Sequence, residues 1–109
     1  MKASMQKRDI ICVNRSRPSL KARFFLFKHL PNDKGKIRVS FVFPRKVGNA
    51  VLRNRFKRRM RELFRAQDCC DQGYDVMCLA MKSLVTITDK QWQEERLTIR
   101  KWFEDIQSI

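Results

Sequence analysis

The sequence predicts an α/β (α+β) sandwich, in which one small sheet is covered by helices. Three observations predict it. Residues 36–43 alternate apolar and polar side chains, residues 50–66 repeat apolar side chains at helical spacing, and residues 74–81 form a mostly apolar run of strand length. The 109 residues, 43% of them apolar, suffice for one core. We therefore expect a single domain over residues 1–109, with its elements in the order α-β-β-α-β-α.

The N-terminal segment, residues 1–22, is basic and irregular. A short helix can form around Met5–Val13, and Pro18 limits its extent because the residue before a proline avoids helical geometry. Next comes the aromatic run Phe24–Phe27, which is typical of a strand. A proline and a glycine then mark a turn at residues 31–35. We expect residues 23–43 to form an antiparallel hairpin.

The second half of the chain alternates helix, strand and helix. Pro44 ends the preceding strand because it lacks the N–H group that a ladder would use. Asn49 is a good N-cap for a helix that begins at Ala50 and ends at about residues 66–68. The apolar run Tyr74–Met81 suits a central strand that is covered on both faces.

The last helix begins at a capping box formed by Thr88 and Gln91. Its apolar side chains recur at helical spacing with Arg96 in the one gap, and this stripe predicts core packing. The stripe consists of Trp92, Ile99, Phe103 and Ile106. We expect the acidic side chains of this helix to face solvent, namely Glu94, Glu95, Glu104 and Asp105.

Charge is strongly polarised along the chain. The formal net charge is +14, and residues 1–61 hold 19 basic side chains against only two acidic ones. Such a surface repels itself unless a polyanion neutralises it. Nucleic acid is the first candidate partner, and an anionic membrane surface is the second. No run of 18 apolar residues exists, so a membrane span is not expected.

Basic and apolar side chains separate on the helix that begins at Ala50. At about 100° per residue, the apolar side chains share one stripe within about 120°, and the cations occupy another face. Along that face Arg53, Lys57 and Arg61 are each four residues apart and repel one another, whereas an ordinary solvated helix mixes signs. Arginine can also grip phosphate with two parallel hydrogen bonds. The pattern therefore favours phosphate binding.

Two aromatic side chains are candidates for base stacking. Phe25 and Phe27 share one face of their strand and could stack on unpaired bases, as in sheet-based single-strand binders. The same spacing is equally compatible with two rings buried in a core. Spacing alone does not distinguish these alternatives.

No constellation predicts a protein active site or a metal site. The only histidine is His29, and the four cysteines (Cys12, Cys69, Cys70, Cys78) include no C-x-x-C pair. We expect reduced thiols in a cytoplasmic protein, because the N-terminus also lacks the apolar run of a secretory signal.

The segment 46–64 closely resembles the signature helix of the bacterial ribonuclease P protein subunit. The matching positions are Lys46-x-Gly48-Asn49-Ala50-Val51-x-Arg53-Asn54-Arg55-x-Lys57-Arg58-x-x-Arg61-Glu62-x-Phe64. The order of elements around the segment agrees as well, so that the resemblance covers roughly residues 20–107. It implies a parallel βαβ unit with a left-handed crossover, against the usual right-handed preference.

The resemblance implies an accessory to a catalytic RNA that removes the 5′ leader of precursor tRNA with Mg²⁺ held mainly by RNA. The expected partners are ribonuclease P RNA and precursor tRNA, with no catalytic or metal-ligating residue in the protein, which alone is expected to be inactive. The RNA-binding side chains we predict are Arg45, Lys46, Asn49, Arg53, Asn54, Arg55, Lys57, Arg58, Arg61 and Arg65. The family holds the leader in a cleft between its sheet and first helix, and Phe27, with Phe25 on the same face, matches that cleft.

Two other functions compete with this interpretation. One is a generic RNA- or ribosome-binding protein without a processing role. The other is a DNA-binding regulator, which is disfavoured because no second helix lies close enough before residues 50–66 for a helix-turn-helix.

Overall fold

The computed structural model describes residues 7–65 and 73–107, which form three α-helices and one four-stranded sheet. In chain order the elements are α1 (Lys7–Arg15), β1 (Leu20–Lys21), β2 (Phe25–Asn32), β3 (Ile37–Val42), a 3-10 turn (Arg45–Val47), α2 (Ala50–Arg65), β4 (Gly73–Ala80) and α3 (Asp89–Gln107). The predicted α+β class is confirmed, and the short strand β1 is added to the expected order.

The sheet has the order β1-β2-β4-β3, so β4 lies between the two strands that we expected to pair. It runs antiparallel to β2 and parallel to β3. The predicted hairpin over residues 23–43 is therefore wrong, although its turn is present and Gly35 adopts φ +66° there. The reason is burial, because seven of the eight residues of β4 are buried and a position between two neighbours covers them best.

The strand β4 is the central strand that the sequence predicts, and β3, α2 and β4 form a parallel βαβ unit. The left-handed crossover implied by the family stays a prediction. Both predicted caps are confirmed. Asn49 Oδ1 accepts a hydrogen bond from the Leu52 amide at 2.9 Å. Thr88 and Gln91 exchange the two hydrogen bonds of a capping box at 3.0 and 3.1 Å.

Helices lie on both faces of the sheet. On one face, α2 and α3 bury the inward side chains of β2 and β4, and the apolar stripe of α2 packs there through Phe56, Met60 and Phe64. On the other face lies α1, where the Lys28 ammonium group donates to the carbonyl oxygen of Asn14 at 2.8 Å. These two layers decide which side chains of the sheet remain accessible.

The expected solvated position of Glu95 is wrong. Its side chain is 4% exposed, and its Oε1 accepts hydrogen bonds from the Phe24 and Phe25 amides at 2.7 and 3.2 Å. Three residues after Trp92 and four before Ile99, Glu95 lies on the buried stripe of α3. It therefore fills the gap that we had assigned to Arg96, which is exposed.

A buried ion pair ties β3 to β4 on the α1 side of the sheet. The Arg38 guanidinium donates to both carboxylate oxygens of Asp75 at 2.7 Å, and Asn32 Nδ2 donates to the same carboxylate at 2.8 Å. Such a bidentate geometry is needed to compensate for removing two charges from water.

Candidate nucleic-acid interface

The predicted RNA-binding side chains come together on α2 and the turn that precedes it. We call this set the α2 surface. Its members are Arg45, Lys46, Asn49, Arg53, Asn54, Arg55, Lys57, Arg58, Arg61 and Arg65. Eight of them are exposed, and Arg53 and Lys57 are half-buried. None of its cations forms an ion pair with another described residue.

Three cations of the α2 surface are held against the outer edge of the sheet, where β3 lies. Arg53 donates from Nε to the Gly48 carbonyl oxygen at 3.2 Å and from Nη1 to the carbonyl oxygen of Phe43, directly after β3, at 3.5 Å. The Lys57 ammonium group lies 6.0 Å from the centre of the Phe43 ring, and the Arg61 guanidinium lies 5.1 Å from that of Phe41. Carbonyl and ring contacts orient these cations without neutralising them. The positive charge stays available to a ligand.

The α2 surface has a clear boundary at Arg59. This guanidinium turns towards α3 and lies 5.0 and 5.4 Å from the ring centres of Phe56 and Trp92. Arg59 is not among the predicted RNA-binding side chains. It lies on the side of α2 that faces away from β3.

The proposed stacking role of Phe25 and Phe27 is wrong. Both side chains are 0% exposed, on the face of the sheet that α2 and α3 cover. The Phe27 ring packs at 5.1 Å from Trp102 and 6.0 Å from Phe64. A base could reach these rings only if both helices left the sheet. Of the two alternatives that the spacing left open, core packing is correct.

The accessible face of the sheet is the opposite one, beside α1. We call its accessible side chains the cleft face. They are Leu26, Lys28 and Leu30 of β2, Ser40 and Val42 of β3, and Leu79 of β4. Val42 is the most open of the apolar ones, at 43% exposed. Successive side chains of a strand point to opposite faces, so the alternation that places Phe25 and Phe27 on one face of β2 places Leu26 and Lys28 on the other. The sequence pattern therefore contained this face as well.

His29 and Cys78 lie on the face of the sheet that α2 and α3 cover, opposite to the cleft face. His29 Nδ1 and the Ser19 hydroxyl share a hydrogen bond. Burial lowers the pKa of the His29 ring below the ordinary value of 6.5. Burial, with a smaller contribution from the charge of Glu95, raises the pKa of the Cys78 thiol. Cys12 is exposed, and Cys69 and Cys70 lie outside the described residues.

Across residues 7–65 and 73–107, no three histidine, cysteine or acidic side chains are grouped closely enough to hold a metal ion. No helix in that part of the chain has the length and apolar character required to cross a bilayer.

Comparison with known proteins gives a consistent result. The family model described as Ribonuclease P matches residues 5–106. The ribonuclease P protein component of Citrifermentans bemidjiense is 33% identical over 72% of this chain and 67% of its own length. That of Streptococcus pneumoniae is 28% identical over 88% of this chain and 79% of its own length.

Solved structures share the fold. The ribonuclease P protein of Thermotoga maritima superimposes with a TM-score of 0.67 at 23% identity, over 97% of this chain and 96% of that one. A Staphylococcus aureus ribonuclease P protein, a mutant with defective mRNA degradation activity, gives a TM-score of 0.73 at 21% identity, over 94% of this chain and 86% of that one.

Proposed function

The chain belongs to the ribonuclease P protein family, and we propose that it serves the enzyme through two separate surfaces. As a protein component of ribonuclease P, it is an RNA-binding subunit of the endoribonuclease that removes the 5′ leader from precursor tRNA. The α2 surface binds the phosphates of ribonuclease P RNA. The cleft face receives the leader of the precursor.

The single observation that supports this function best is the geometry of the α2 surface. Its cations lie on one helix and its N-terminal turn, unpaired within the described residues and oriented along the β3 edge. Cations placed in this way release counterions from RNA when they contact phosphates, which drives association. Family membership favours a processing role over the generic RNA- or ribosome-binding alternative.

We propose that the RNA subunit carries out catalysis. We propose that the RNA subunit holds Mg²⁺, as membership of the family implies. The protein contributes by holding a polyanionic substrate in position, which raises the rate through orientation and binding rather than through proton transfer. We place the protein in the cytoplasm together with its RNA partners.

The leader lies across the cleft face in this proposal, and not on Phe25 and Phe27. Partly exposed aliphatic side chains such as Leu30 and Val42 give apolar contact, and Lys28 supplies a positive charge between them. Because these side chains lack π-faces, we expect contact with sugars and base edges rather than stacking.

Charge removal on the α2 surface will weaken the salt dependence of RNA binding. In the triple variant Lys57→Gln, Arg58→Gln, Arg61→Gln, the slope of log affinity against log salt should fall by about 2–3, because each lost phosphate contact contributes about 0.7–0.9. Binding to ribonuclease P RNA, measured by filter retention over a salt series, checks this. Arg53 is left intact because it supports the Gly48 carbonyl.

The matched control removes the same charge from α3, through Arg96→Gln, Arg100→Gln and Lys101→Gln. These side chains are exposed on a helix that also carries acidic residues. Equal slopes in the two triple variants would show that only net charge matters and would contradict the assignment of the α2 surface.

An acidic residue on the cleft face will weaken leader capture. Val42→Glu places a carboxylate near leader phosphates, and one repulsion of about 1 kcal/mol corresponds to a roughly fivefold loss of affinity. Leader-bearing precursor should lose affinity for the holoenzyme while mature tRNA does not. Leu97→Glu is the control, since Leu97 is 60% exposed on α3. Equal losses for precursor and mature tRNA would contradict the placement of the leader.

A further inference from the structure

A second basic surface lies at the edge of the sheet opposite to β3. It is formed by four cations of residues 15–23, a nine-residue segment that contains no acidic residue. We call it the β1-edge surface, and its members are Arg15, Arg17, Lys21 and Arg23. All four side chains are exposed. The α2 surface does not include them, and the family signature in residues 46–64 says nothing about them.

Backbone hydrogen bonds hold this segment in a defined place. The Ser19 amide donates to the Phe27 carbonyl oxygen at 2.8 Å, and the Ala22 amide donates to that of Phe25 at 2.9 Å. Between them, Lys21 is paired with Leu26 in the sheet. The cations therefore project from an ordered strand edge and the end of α1, and not from a loose tail.

Their charge is not neutralised within the described residues. None of the four forms an ion pair there, while other cations do, as in the pairs Lys34–Asp33 and Arg100–Glu104. The Arg23 guanidinium has only a ring contact, 5.8 Å from the centre of Phe24. Charged side chains, lysine above all, discourage an edge strand from pairing with another chain, and β1 is only two residues long. Four cations without an acidic neighbour in the segment exceed that need and favour a polyanionic ligand.

The two basic surfaces are far enough apart to act separately. The β1-edge surface lies at β1, and the α2 surface lies along β3. These strands are the two ends of the sheet order and are separated by three strand spacings, or about 14 Å. This exceeds the screening length of about 8 Å at physiological ionic strength. One phosphate therefore cannot satisfy both surfaces.

We propose that the β1-edge surface is a second RNA-binding surface, which holds phosphodiester groups independently of the α2 surface. The proposal rests on the proposed function, because it takes RNA as the polyanion. Both ribonuclease P RNA and precursor tRNA carry this chemistry, and the experiment separates the two sources.

The test compares two quadruple variants that lose the same charge. One carries glutamine at all four positions of the β1-edge surface, and the other carries Lys90→Gln, Arg96→Gln, Arg100→Gln and Lys101→Gln on α3. Affinity is measured over a salt series, for ribonuclease P RNA with the protein alone and for precursor tRNA with the holoenzyme. The slope of log affinity against log salt should fall by about 3 in the β1-edge variant and remain unchanged in the α3 variant.

The outcome identifies the RNA. A smaller slope with ribonuclease P RNA assigns the surface to the RNA subunit, and a smaller slope with precursor tRNA alone assigns it to the substrate. Arg15 is the last residue of α1, so thermal unfolding of the quadruple variant checks that the helix is not destabilised. The double variant Arg17→Gln, Lys21→Gln changes only residues outside the helix, and its slope of log affinity against log salt should fall by about 1.5.

Combination with the α2 triple variant tests independence, because losses of binding free energy at distant sites add. If the β1-edge variant matches its α3 control while the α2 variant lowers the slope, the second surface is wrong and the proposed function stands. If neither variant lowers the slope, both assignments are wrong. Losses that fall short of additivity would contradict independent binding.

Discussion

Replacing Phe27 with alanine will lower the free energy of unfolding by about 3–5 kcal/mol, the usual cost of truncating a buried aromatic side chain. The ring is 0% exposed and lies between Phe64 of α2 and Trp102 of α3, so its loss leaves a cavity where both helices meet the sheet. Urea denaturation monitored by circular dichroism measures the change.

The same variant separates core packing from RNA contact. Below its unfolding transition, Phe27→Ala should bind precursor and mature tRNA in the same ratio as the original protein, because the ring is buried in the core. Val42→Glu supplies the contrast, since it should change that ratio without a comparable loss of stability. A Phe27→Ala protein of unaltered stability that lost only leader capture would show that the ring contacts RNA, contrary to its burial here.

Local signals in the sequence sufficed for the helices and for the α2 surface. The N-cap Asn49 and the capping box of Thr88 and Gln91 act within three residues, and both are present in the structure. The separation of cations from apolar side chains on α2 likewise follows from the helical repeat alone. Features set by short-range geometry were therefore predictable.

Strand pairing was not predictable in this way. A turn at residues 31–35 suggested a hairpin, but β4, which lies more than 30 residues further along the chain, separates β2 from β3. The choice depends on which strand gains most from two neighbours, and the burial of β4 decides it. Loop closure of this length adds only a modest entropic cost.

The accessible face of the sheet also depends on distant partners. Alternation shows that Phe25 and Phe27 share a face, but only the docking of α2 and α3 determines that this face is buried. The buried charges follow the same rule. Glu95 accepts from amides 70 and 71 residues away, and Arg38 pairs with Asp75 across 37 residues. Local sequence patterns do not predict partners at such separations along the chain.

We expect this chain to assist a catalytic RNA and not to cleave precursor tRNA by itself. Hydrolysis of a phosphodiester requires an activated water and a stabilised leaving oxygen, commonly supplied by metal ions on clustered carboxylates. The α2 helix carries a single carboxylate, Glu62, among its cations, and His29 is half-buried in β2. The cations of α2 suit the binding and positioning of RNA.

The most direct measurement adds the purified chain to a bacterial ribonuclease P RNA and precursor tRNA, at a Mg²⁺ concentration too low for the RNA alone to cleave. We expect the mixture to release the 5′ leader at the mature end, and the protein without RNA to release nothing. Cleavage at that position by protein free of RNA and of contaminating nuclease would show that the accessory role is wrong, as would a mixture that remains inactive.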